Sequence, residues 1–226
     1  MEISANVHCL ALGSVNCYLC LEEGGLTLID TGMPNQKDSI FNYLARIGHT
    51  PAGLRRILIT HADIDHAGSL AEIQAATGVP VYAAAETAAY LARGQGPPHM
   101  PRPVQFLANR FVRYTPVPAG MITLIADGTI LPILDGLEVL ATPGHTLDHH
   151  SFYSQAHGVL FAGDALNTRP GRVQLTPKAI TADMTAARQS ALRLLRLAPA
   201  IFACGHGQPL QSHNMDDLMA LMHTLQ

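Results

Sequence analysis

Apolar positions along the chain fall first into short runs separated by turn residues. Residues 3–12 and 15–21 read as strands divided by Gly13-Ser14, and residues 26–29 follow Gly24-Gly25 and close on Asp30-Thr31-Gly32. Turn chemistry of this kind predicts an antiparallel meander. The period then changes: Asn35 is placed to cap a helix reaching about Ile47, with Ile40, Phe41 and Leu44 on one face and Gly48 as its stop. A strand over residues 55–60 leads into a polar turn, then a helix from about His66 to Ala76. A strand opens at residues 78–82, and an alanine-rich helix covers about residues 84–93.

Residues 94–120 break the pattern with Pro97, Pro98, Pro101, Pro103, Pro116 and Pro118, and leave room only for a short helix around residues 104–113. A segment this long without regular structure is unusual inside a compact domain and is expected to be a lid or a subunit contact, the latter a route to a homodimer. Strands then resume at residues 121–126, 129–133 and 137–142, divided by Asp127-Gly128 and Asp135-Gly136, which read as hairpin turns. Residues 150–154 and 159–162 form the next pair. A helix over about residues 183–197, a buried strand at 201–204 and a last helix over about 216–225 complete the chain. Each half thus gives strands first and alternating helix and strand afterwards, which predicts an α/β fold of two sheets packed face to face with helices outside, as one domain over residues 1–226.

Composition supports this and narrows the function. Of the 226 residues, 48% are hydrophobic and 14% charged, enough for a large core and against disorder. The net charge of −3, without a basic run, gives no footprint for nucleic acid. No stretch approaches the roughly 18 apolar residues of a membrane span. The N-terminus lacks the basic start of a signal peptide, so a cytoplasmic protein is expected. Cys17 and Cys20 have CxxC spacing but lie on one strand-like run, which puts the thiols on opposite faces.

The chemistry concentrates in Thr60-His61-Ala62-Asp63-Ile64-Asp65-His66-Ala67-Gly68, directly after an apolar strand. Two carboxylates so close would repel without a cation between them, and His/Asp clusters are ligand sets for zinc and other transition metals. Three later positions repeat the placement: His145 in Pro-Gly-His-Thr, Asp164 in Gly-Asp-Ala, and His206 in Gly-His-Gly, each beside a glycine just past an apolar strand. Glycine permits the close backbone approach that presenting a ligand requires.

In combination these motifs resemble the metallo-β-lactamase superfamily of binuclear metallohydrolases. The resemblance runs from Asn16-Cys17-Tyr18-Leu19 through Ile29-Asp30-Thr31-Gly32 to Gly205-His206-Gly207. It implies an αββα sandwich holding two divalent metal ions, zinc by default. Carried over, His61, Asp63 and His145 would hold the first ion, and Asp65, His66 and His206 the second. Asp164 would bridge both, and Asp30 would support the metal turn without binding. The departure is Asp63, where the family's turn has a second histidine. A carboxylate is a harder ligand than imidazole and shifts the preference toward iron or manganese.

The resemblance implies hydrolysis of an ester-like bond in a small-molecule substrate, a lactone, thioester or phosphoester, by a metal-bridging hydroxide, with Asp65 orienting the nucleophile. A β-lactam is disfavoured by the missing secretion signal. An alternative is the diiron domain of flavo-diiron proteins, whose turn carries an acidic residue where this chain has Asp63; the retained Pro-Gly-His-Thr and the short chain after His206 argue for the hydrolase. The proline-rich segment carries His99, Arg102, Arg110 and Arg113, and arginines that face the metals could hold a substrate carboxylate or phosphate. His149 and Cys204 lie near ligands without being read as ligands.

Overall fold

The computed structural model describes residues 1–100, 104–105, 113–212 and 215–225. Two sheets lie face to face. The first comprises β1 (Glu2–Ser4), β2 (Val7–Leu12), β3 (Val15–Glu22), β4 (Gly25–Ile29), β5 (Leu54–Leu58), β6 (Val81–Ala83) and β7 (Ile122–Leu124), hydrogen-bonded in that order. The second contains β8 (Ile130–Leu131), β9 (Leu137–Ala141), β10 (His150–Ser154), β11 (Val159–Gly163), β12 (Ile201–Cys204) and β13 (Leu210–Gln211), in the order β13-β12-β11-β10-β9-β8. The meander is antiparallel as expected; β4 to β7 pair in parallel, as do β11 and β12. Parallel neighbours need crossovers. Helices α1 (Lys37–Arg46), α2 (Ile64–Ala67), α3 (Leu70–Thr77), α4 (Ala85–Leu91) and α5 (Met184–Arg196) supply them, and α6 (Met215–Leu225) closes the chain.

Three cores result. Leu10, Leu19, Leu28, Ile57 and Val81 pack under α1, α3 and α4; Tyr18, Ile29, Leu58, Phe152 and Phe161 fill the space between the sheets; Leu160, Phe202, Ala191 and Leu194 pack β11 and β12 against α5. This is the αββα sandwich. Strand β3 is buried from Val15 to Cys20 because both its faces are covered. Cys17 points into the helix-side core and Cys20 into the inter-sheet core, opposite faces as the spacing predicts. All the cysteines are free and buried. No helix among the described residues is long and apolar enough to cross a membrane.

Four expectations are corrected. The run 3–12 is a hairpin and not one strand: Asn6 turns at φ 64, a left-handed conformation that Asn tolerates, and β1 pairs back on β2. Asn35 does not cap α1; Gln36 holds that position, and its N–H donates to Ser69 Oγ at 2.7 Å. The helix expected from His66 is split into α2 and α3: Gly68 keeps helical angles, and the chain leaves them at Ser69, at φ -97 and ψ 6. Asp127-Gly128 does not join a hairpin. It carries the chain from the first sheet to the second, where Asp127 Oδ1 accepts the Ala141 N–H at 2.8 Å and pairs with Arg193 at 2.8 Å. Apart from Val104 and Gln105, the helix expected at 104–113 falls largely outside the described residues, as do Arg102 and Arg110.

Candidate metal centre

Chain segments leaving β4, β5, β9, β11 and β12 converge at one end of the sandwich. They bring Asp30, the turn 60–66, His145, Asp164 and His206 together. Three ligand groups form there: His61 with His145 and Asp164, Asp63 with His99 and His145, and Asp65 with His66 and His206. All seven expected ligands therefore meet. Asp164 lies between the groups: Oδ1 is 3.3 Å from His66 Nε2, and Oδ2 is 3.6 Å from His145 Nε2 and 3.2 Å from His206 Nε2. Asp63 Oδ2 is 3.2 Å from His145 Nε2 and 3.5 Å from His61 Nε2, so the variant carboxylate faces the first group. Asp65 Oδ2 is 3.4 Å from His206 Nε2.

The outer contacts fix which ring nitrogens are free. His66 Nδ1 donates to Asp30 Oδ2 at 2.8 Å. His206 Nδ1 donates to the Ser14 carbonyl at 2.7 Å. Thr60 Oγ1 donates to Asp30 Oδ2 at 2.8 Å, which leaves it to accept from His61 Nδ1 at 3.0 Å. Each ring thus spends its proton on Nδ1 and turns the Nε2 lone pair inward, the arrangement by which outer contacts orient metal-binding histidines. His61 Nε2, His66 Nε2 and Asp164 Oδ1 are buried and make no hydrogen bond. His66 Nε2 and Asp164 Oδ1 are at ion-pair distance without hydrogen-bond geometry. Buried polar atoms left unsatisfied are costly, so several of them in one place call for a shared partner. The donor set of imidazole and carboxylate fits divalent transition metals.

His149 is not among the ligand groups. Its Nε2 accepts the Asp164 N–H at 2.9 Å and its Nδ1 contacts Thr142 Oγ1 at 2.8 Å, so it anchors the bridging carboxylate through the backbone. Burial, and then the neighbouring His61 and His145, hold its pKa well below the usual histidine value. Asp148, which the sequence does not single out, accepts the Ala62 N–H on Oδ2 at 3.1 Å and steadies the turn from beneath. Burial, then Asp164, push the Cys204 thiol well up, which makes it a packing residue. Gly205 shows why a glycine precedes His206: a methyl there would meet Asp164 Oδ1 and His66 Cε1. Gly205→Ala is expected to cost about 1–3 kcal/mol of stability and to weaken metal binding together, checked by urea unfolding and metal analysis of the same sample.

The proline-rich segment contributes His99, whose Nδ1 lies 3.4 Å from Asp63 Oδ1. Arg113 is exposed. Above the ligands is a cleft of about 210 Å³, lined by Ile64, Pro97, Met100 and Ile180 as well as the acidic and histidine residues. A larger surface hollow, about 1060 Å³ along Leu10–Ser14 and Arg169, has none of these ligands in its wall.

Without metal, the carboxylates draw protons onto the rings. Burial opposes it, but Asp164 and Asp65 raise His206 to about 10, and Asp164, Asp30 and Asp65 raise His66. The raised His206 stabilises the metal-free fold fully below about 6.5, and that contribution is lost as pH rises through about 10. A metal ion must displace the same proton. Its apparent affinity is therefore expected to rise about tenfold per pH unit for each proton displaced, from pH 7 upward. Chelator competition at pH 6.5, 7.5 and 8.5 checks this.

The comparisons agree with the geometry. The family model described as the metallo-beta-lactamase superfamily matches residues 10–206. "Probable metallo-hydrolase YflN" of Bacillus subtilis is 31% identical, the match covering 99% of this chain and 92% of that protein. A hydroxyacylglutathione hydrolase of Edwardsiella ictaluri is 33% identical over 59% of this chain and 40% of its own length. Among solved structures, the Rm3 metallo-beta-lactamase superposes with a TM-score of 0.74 at 25% identity, over 91% of this chain and 77% of that one. This chain belongs to the metallo-beta-lactamase superfamily.

Proposed function

We propose that the protein is a binuclear metal-dependent hydrolase that cleaves an ester-like bond, with acyl thioesters as the leading substrate class. The observation that carries this reading is the set of buried, unpartnered Nε2 and carboxylate atoms that converge at the sheet ends. His61, Asp63 and His145 would hold one ion, Asp65, His66 and His206 the other, with Asp164 shared between them. Two such ions would supply a water of lowered pKa and Lewis acidity toward a carbonyl or phosphoryl oxygen. Zinc is the default; Asp63 opens the first position to iron or manganese.

The chain's own residues then bind, orient and move protons. Burial raises the pKa of Asp65, but His66 and His206 outweigh it, and the carboxyl sits below its usual range. It is ionised at neutral pH and placed at the cleft, where it can orient the attacking water and accept its proton. Ile64, Pro97, Met100 and Ile180 offer an apolar wall suited to an acyl chain and exclude water from it. The thioester preference is supported by the relatives named hydroxyacylglutathione hydrolases. The reading further assigns a small-molecule substrate, no nucleic-acid partner, and work in the cytoplasm.

The test is turnover by the metal-loaded chain on thioester, lactone, phosphodiester and β-lactam panels, beside His61→Ala. Thioester cleavage that disappears in the variant is expected. Activity on β-lactams alone would contradict the substrate class, and two irons with oxygen uptake would contradict the reaction class.

A further inference from the structure

The imidazole absent at position 63 has a counterpart from elsewhere in the chain. His99 Nδ1 lies 3.4 Å from Asp63 Oδ1 and 3.0 Å from the Pro97 carbonyl oxygen. The carbonyl is only an acceptor, so Nδ1 carries the ring proton and donates it there, with Asp63 Oδ1 beside it at ion-pair distance. The two oxygens of Asp63 therefore have separate neighbours. Oδ2 lies among the metal-facing nitrogens of His145 and His61, at 3.2 and 3.5 Å, and Oδ1 lies under His99.

The segment is built to hold His99 there. The Tyr114 hydroxyl lies 2.9 Å from the Ala62 carbonyl and 3.1 Å from the Gln95 carbonyl, and so ties the metal turn to the start of the segment. Gly96 comes so close that a Cβ would stand 3.3 Å from Asp63 Oδ1. Gln105 Oε1 accepts the His99 N–H at 2.9 Å and the Met100 N–H at 3.0 Å. The His99 side chain is only 7% exposed, and its ring centroid is 5.0 Å from that of His145.

We infer that His99 is a positioning residue for the first metal position: its ring, fixed by the Pro97 carbonyl, stands against Oδ1 of Asp63, so that the carboxylate offers Oδ2 alone beside His61 and His145. The inference rests on the binuclear reading above. Its chemical reason is the substitution itself. A histidine at position 63 would present one nitrogen fixed by its ring, whereas a carboxylate can rotate and offer either oxygen or both, and needs an outer donor to fix it. The proline-rich segment is then more than a cover.

The experiment uses the full chain, stripped of metal and titrated with Co(II), with bound ions counted by elemental analysis and the ligand field read by visible absorption. The variants are His99→Ala, His99→Asn and the double variant Asp63→His with His99→Ala. His99→Ala is expected to weaken the first ion about 10–100-fold and leave the second unchanged. His99→Asn, whose side-chain N–H stands near the place of Nδ1, is expected to bind close to wild type. The double variant is expected to regain two-ion binding, because a ring at 63 needs no donor from the segment. His99→Ala indistinguishable from wild type in count, affinity and spectrum would overturn the inference. So would His99→Asn as weak as His99→Ala, which would make the ring itself a ligand. If the wild type takes up fewer than two ions, the binuclear reading fails first, and the inference with it.

Discussion

Asp164→Asn is expected to abolish two-ion binding and to cut hydrolysis by at least about 10³-fold, the several kcal/mol that metal charge stabilisation contributes. Asp164 faces His66 through Oδ1 and both His145 and His206 through Oδ2, and so stands between the two proposed ions. Burial pushes its pKa up, yet His66, His206 and His145 hold it well below the usual carboxylate value, so it contributes a full negative charge at neutral pH. The amide keeps the size and loses the charge, and its NH2 would turn donors toward cations. The backbone anchor is unchanged, since His149 Nε2 receives the Asp164 N–H and Thr176 Oγ1 donates to the Asp164 carbonyl. A folded variant by circular dichroism, with at most one ion by elemental analysis, is the expected pair of readings.

Asp30→Ala is expected to cost about 3–5 kcal/mol of stability even in the metal-free chain, measured by urea unfolding. Asp30 is 3% exposed and accepts the Thr60 N–H at 2.9 Å, the Thr60 hydroxyl at 2.8 Å and His66 Nδ1 at 2.8 Å. Alanine leaves three buried donors without an acceptor. It also leaves a Cβ residue at φ 58 without the local polar contacts that make that conformation tolerable for Asp. Asp30→Asn keeps an acceptor for one side of the network and should lose less. In both variants the second ion weakens, because His66 loses the contact that sets its tautomer.

Much of this was legible along the chain because it is local. Each of His145, Asp164 and His206 follows an apolar strand and adjoins a glycine, and strand ends with tight turns are where a sheet presents side chains. The alternation on β3 and the periodic faces of α1 and α5 likewise follow from neighbours in sequence. What escaped depends on distant packing. Asp127-Gly128 has hairpin chemistry, but β7 finds its parallel partner in β6 and the turn must cross between sheets. The break between α2 and α3 falls at Ser69, whose hydroxyl is held by Gln36 and Met33, more than thirty residues earlier. Asp148 reaches Ala62 across 86 positions. His99 looks like any loop histidine until Tyr114 and Gly96 bring its segment onto Asp63. The departure at position 63 could be read from the sequence; the residue that answers it could not.

On the proposed function, two metal ions held by these side chains make a hydrolase. It is tested most directly by adding zinc stepwise to the metal-free chain while thioester hydrolysis and bound zinc are followed together. Turnover that rises with occupancy and levels off at two ions per chain, with His61→Ala losing the first ion and nearly all turnover, is the predicted result. Two bound ions with no turnover of any thioester, lactone or phosphodiester, or undiminished turnover in the metal-free chain, would contradict it.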